Sequence, residues 1–60
     1  MDKTDRIVVE LIHKGFRMSR QEYLNTRLYK ILETYHIDEP LTTEEYLLLV
    51  AKLYQQCDEE

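Results

Sequence analysis

Two stretches of this 60-residue chain carry nearly the same message, MSRQEYL from Met18 to Leu24 and LTTEEYL from Leu41 to Leu47. In each, a hydroxyl residue stands three positions ahead of a glutamate: Ser19 before Glu22, Thr42 before Glu45. That is the spacing of a capping box. The hydroxyl accepts from the backbone N–H three residues on, and the glutamate reaches back to the N–H of the cap itself. An apolar pair brackets each box, Met18 with Tyr23 and Leu41 with Tyr46, where a hydrophobic staple fixes the angle of chain entry. A chain written this way is committed to helices that begin near residues 20 and 43.

Apolar spacing extends both starts. A second helix is expected over about 20–35, with Leu24, Leu28, Ile31, Leu32 and Tyr35 as one stripe. A third is expected over about 43–56, where Tyr46, Val50, Leu53, Tyr54 and Cys57 repeat in the same way and Leu47, Leu48, Leu49 and Ala51 widen the apolar arc beyond one face. The first segment, about 5–14, is less plain, because Ile7, Val8 and Val9 suit a strand as well as a helix. The pattern Ile7, Val8, Leu11, Ile12 favours a helix. Gly15 then closes it in a left-handed conformation, and Phe16 covers Leu11 as in a Schellman motif. Between the second and third helices lies a loop, His36 to Pro40, with Pro40 holding Glu39 out of helical conformation.

These elements predict an all-α fold, a small three-helix bundle in which helices two and three form an antiparallel hairpin. Residues 1–60 read as one small helical domain, since a chain this short buries only about 60% of the surface its unfolded form exposes. Hydrophobic residues make up 43% of the chain, with one Gly and one Pro, which argues against disorder. The longest apolar run, Tyr46 to Ala51, is far short of a membrane span, and the N-terminus lacks the pattern of a signal peptide. A lone cysteine, Cys57, agrees with a reducing compartment, so a cytoplasmic location is expected.

Chemistry-bearing constellations are scarce. Cys57, His13 and His36 stand far apart and form no ligand pair, so no metal and no cofactor is expected. His13 suits the negative end of the first helix, His36 a solvated loop, and Cys57 the end of an apolar stripe. The only glycine has a structural task, and the acids cluster at helix starts and at the tail. An enzyme is not expected.

Charge is divided unevenly. Residues 1–30 hold seven cations and four acids, whereas residues 31–60 hold Lys52 alone among eight acids. Such asymmetry serves either internal complementarity or a partner. Arg20, Tyr23, Arg27 and Lys30 recur at helical spacing, with Arg17 just ahead of them, a basic row with an aromatic that could meet phosphates and a base. A competing reading places Arg17 and Arg20 against the acidic tail Asp58, Glu59 and Glu60, each misplaced charge softening the other's conflict with a helix dipole. A DNA-reading helix-turn-helix around Gly15 is disfavoured, because the turn HKGFRMS is long and Glu22 stands near the reading end.

The surplus of apolar surface on the third helix weighs most. Three short helices cannot cover all of it, and uncovered apolar patches on small proteins mark interfaces. The expected function is a small non-enzymatic cytosolic interaction module, a regulator, adaptor or inhibitor that binds a protein partner or itself. Its interface residues are Tyr46, Leu47, Leu48, Leu49, Val9 and Tyr54. The alternative is a small nucleic-acid binder using Arg17, Arg20, Tyr23, Arg27 and Lys30.

Overall fold

The computed structural model describes residues 2–59. It contains α1 (Lys3–His13), α2 (Arg20–Leu24), α3 (Leu28–Thr34) and α4 (Thr43–Gln56), with no strand among the described residues. The chain is all-α. The first segment is a helix, its β-branched residues notwithstanding. Asp2 caps it by accepting the Asp5 N–H at 2.9 Å.

The repeated message acts as a start signal both times. At α4 the capping box is complete: Thr42 Oγ1 accepts from the Glu45 N–H at 3.1 Å, and Glu45 Oε1 accepts from the Thr42 N–H at 2.9 Å. At α2 only the forward half forms, Ser19 Oγ accepting from the Glu22 N–H at 3.1 Å. Tyr23 is buried, and Met18, Leu41 and Tyr46 pack half-buried against the core, so all four staple residues cover apolar surface.

Each start follows a matching stop. Gly15 has φ +92°, the Phe16 N–H donates to Leu11 O at 2.9 Å and the Gly15 N–H to Ile12 O at 3.0 Å, which together make a Schellman motif. The same pair of bonds ends α3, from Ile37 to Leu32 O at 2.8 Å and from His36 to Glu33 O at 3.2 Å, with His36 at φ +59°. Both residues that follow the left-handed position, Phe16 and Ile37, are buried. Two helix ends therefore close by tucking an apolar side chain under the turn.

The helix expected over 20–35 is two helices. Asn25 ends α2, Arg27 is extended at φ −89° and ψ 142°, and α3 starts at Leu28. Two side chains turn back onto the preceding turn, Asn25 Nδ2 donating to Gln21 O at 3.1 Å and Thr26 Oγ1 to Glu22 O at 2.8 Å. Such local bonds compete with helix propagation. The break re-aims α2, so that Tyr23 enters the core and donates its hydroxyl to Val50 O at 2.7 Å, while Leu24 is left 66% exposed. The stripe expected from Leu24 to Tyr35 survives only from Leu28 onward.

Packing centres on α1 against α4 rather than on the expected antiparallel hairpin. Ile7 and Leu11 of α1 and Leu49 and Leu53 of α4 are fully enclosed, and burying each contributes roughly 1.5–3 kcal/mol. Tyr23, Leu28, Ile31 and Leu32 complete the cluster, with Val8, Phe16, Ile37 and Cys57 at its margins.

Two substitutions test the stops. Gly15→Ala forces a Cβ into the left-handed region and should lower stability by about 1–2 kcal/mol, although no atom lies near the added carbon. His36→Gly removes such a Cβ and should raise stability by up to about 1 kcal/mol. Urea unfolding of both variants reads the signs, and a neutral or reversed pair contradicts the left-handed assignment.

Candidate functional site

α4 presents two faces. Tyr46, Leu49, Val50, Leu53 and Tyr54 point toward the core, with Leu49 fully enclosed. Glu44, Leu47, Leu48, Ala51 and Gln55 recur at the complementary helical spacing and are all exposed, Leu47 at 62% and Leu48 at 47%. Of the six expected interface residues, Leu47 and Leu48 stand on this outer face. Val9 is exposed on α1, as is Ile12 one turn further on. Leu49 belongs to the core, and Tyr46 and Tyr54 are half-buried against it. The enclosure of Leu49 could have been read from its place three residues after Tyr46 and four before Leu53.

The basic row is not assembled on one helix face, because the break at residues 25–27 intervenes. Tyr23 is buried, so its ring is not free to stack on a base. Arg17 Nε pairs with Asp58 Oδ2 at 3.0 Å and Arg20 Nη1 with Glu59 Oε1 at 3.4 Å, so both cations meet the acidic tail. Glu60 lies outside the described residues. Backbone reinforces the junction: the Asp58 N–H donates to Met18 O at 2.9 Å and the Arg20 N–H to Asp58 O at 3.1 Å. The Arg20 guanidinium also lies over the Tyr54 ring, 5.2 Å from its centroid. Arg27 and Lys30 are exposed and have no ion pair among the described residues.

Much of the charge asymmetry is spent internally. Lys3 pairs with Glu45 at 3.3 Å and also donates to Pro40 O, and Arg6 pairs with Glu39 at 2.7 Å. These contacts fasten the loop before α4 to α1. Each is at least partly open to solvent and contributes only about 0–1 kcal/mol, so they guide register more than they hold the fold.

Lys52, the lone cation of the acidic half, clamps α4 to the start of α1. Its Nζ donates to Thr4 Oγ1 at 2.6 Å and to Asp5 Oδ1 at 2.8 Å, and stands 3.4 Å from Asp2 Oδ1. Thr4 is buried, and its hydroxyl donates in turn to Asp2 Oδ1 at 2.7 Å. The bond to Asp5 leads the contacts that raise the Lys52 pKa. Asp2 is held down at about 2, first by the Asp5 N–H that it caps and then by the Thr4 hydroxyl. Sequence reading missed this clamp, for which the isolation of Lys52 among acids was the available signal.

Elsewhere, burial pushes the Cys57 thiol up, and the thiol donates to Leu53 O at 3.3 Å. Among the described residues no pocket is found, and no three His, Cys, Asp or Glu side chains gather as metal ligands. No described helix is long and apolar enough to cross a membrane. Comparison with known protein families, curated proteins and solved structures finds no match.

Two titrations follow. The Asp2 carboxyl is depressed from 3.8 to about 2, so its share of stability is present above pH 4 and lost as pH falls from about 4 to 2. Asp2→Asn keeps a capping oxygen without that ionisation, and acid unfolding followed by circular dichroism should fall off less steeply in the variant over this window. Burial raises the Tyr23 phenol from 10 to about 12. Its share is therefore complete below pH 10 and lost as pH rises from 10 to 12. In an ultraviolet titration one of the five tyrosines should ionise late, and Tyr23→Phe should remove that step. Uniform ionisation near pH 10 would contradict the burial of Tyr23.

Proposed function

We propose that this chain is a small non-enzymatic interaction module of the cytosol, a regulator, adaptor or inhibitor that engages a protein partner or a second copy through the outer face of α4. The observation that carries this reading is the contrast between adjacent leucines. The fold encloses Leu49 and leaves Leu47 and Leu48 in water. Covering one such side chain is worth about 1.5–3 kcal/mol, and a few apolar anchors of this kind dominate most interfaces. Val9 and Ile12 add exposed apolar surface on α1. Glu44, one turn before Leu47 and Leu48, lies at the edge of this face, where a charge orients a partner more than it strengthens the contact.

A nucleic-acid reading is supported only by Arg27 and Lys30, the two cations without an ion pair among the described residues. It is the weaker of the two, because the ring expected to meet a base is buried and Arg17 and Arg20 already meet carboxylates. Phosphate contacts weaken steeply with salt, so titration with single-stranded and duplex DNA at low and high salt discriminates it.

Leu48→Glu should change folding stability by no more than about 0.5 kcal/mol, the range of an exposed site. Leu49→Ala should cost about 2–5 kcal/mol. Sedimentation and affinity capture with Leu48→Glu should lose the self-association or the bound protein that the parent chain shows. Unchanged sedimentation together with an unchanged captured set overturns the reading.

A further inference from the structure

We propose that the α2–α3 joint is a two-position hinge at Arg27, whose second position is one continuous helix from Arg20 to Thr34. The residues from 20 to 34 include neither Gly nor Pro, so no covalent constraint enforces the break. Asn25, at φ −94° and ψ 2°, lies close to helical conformation, and Arg27 carries most of the departure through its ψ of 142°.

Two independent observations mark the bent position as incomplete. Leu24 keeps the helical spacing of Leu28, Ile31 and Leu32, yet it is the most exposed of the large apolar side chains. The start of α3 has no side-chain cap, whereas Asp2, Ser19 and Thr42 cap the other three helices. The N–H groups of Arg27, Leu28 and Tyr29 accordingly have no protein partner among the described residues. In a continuous helix these groups would donate to the carbonyls of Tyr23, Leu24 and Asn25. Conflict between local pattern and observed structure concentrates at sites that move or work.

Burial of the Tyr23 ring beside Tyr54 is the largest contact that holds the bend. The others are weak and reversible, namely the Tyr23 hydroxyl on Val50 O, the back-bonds of Asn25 and Thr26, and the tail on Met18, Arg17 and Arg20. With α3 fixed in the core, straightening swings α2 off the end of α4, frees the tail and withdraws the Tyr23 ring. Arg20, Tyr23, Arg27 and Lys30 then repeat along one helix face, a row of three cations and a phenol that the bent chain lacks.

Nuclear magnetic resonance on the full chain tests the hinge. The parent should show relaxation dispersion from Tyr23 to Leu28 and none at Leu49 or Leu53, and Asp58→Ala should enlarge it by loosening the tail. The double substitution Asn25→Ala with Thr26→Ala should give helical Cα shifts from Arg20 to Thr34 without interruption. It should also slow amide exchange at Arg27, Leu28 and Tyr29 by at least about tenfold. A folded double variant that keeps Arg27 extended and these amides fast overturns the proposal. Should the double variant fail to fold, the parent and Asp58→Ala decide: dispersion at residues 23–28 supports the hinge, and flat profiles in both overturn it.

Discussion

The architecture depends on how the chain leaves a helix. At Gly15 and again at His36 the backbone enters the left-handed region, and the next residue, Phe16 or Ile37, is drawn beneath the helix it has just left. That single step satisfies carbonyls at the helix end and reverses the chain. It also plants an apolar anchor in the core. Ser19 and Thr42 then restart helices a few residues later. A short polypeptide has too little interior to enforce its turns by packing alone, so local devices of this kind carry an unusual share of its specification.

With the turns fixed, α1 and α4 meet through Ile7, Leu11, Leu49 and Leu53, and the surrounding charges fall into complementary places. Lys3 and Arg6 fasten the segment before α4, Lys52 clamps the start of α1, and the tail closes over Arg17 and Arg20. None of these pairs is strong. Together they pair four of the seven cations of residues 1–30 with four of the eight acids of residues 31–60, and they do not engage the outer face of α4 or the Arg27–Lys30 segment.

What could be read from residues alone follows the range of the forces involved. Capping, termination at Gly15 and the span of α4 are governed by neighbours within a few positions, and the sequence displays them openly. The second expected helix is divided in the structure because its continuity is decided over longer range. Burial of the Tyr23 ring against Tyr54, 6.2 Å between centroids, and its bond to Val50 O favour a bend that the apolar spacing argues against. The left-handed role of His36 was hidden because a non-glycine residue fills it. Three consecutive leucines give no helical phase by themselves, so which of them lay inside needed the positions of Tyr46 and Leu53. The Lys52 clamp joins residues nearly fifty positions apart, so the isolation of Lys52 among acids marks the residue without pointing to its partners.

The most direct measurement of this account is amide hydrogen exchange at Phe16 and Ile37, combined with the three-bond coupling that reports φ at His36. Both amides should be strongly protected, held by Leu11 O and Leu32 O, and His36 should have a positive φ. Rapid exchange at both amides with a negative φ at His36 would mean that the chain turns by other means, and the arrangement of helices built on those two stops would not stand.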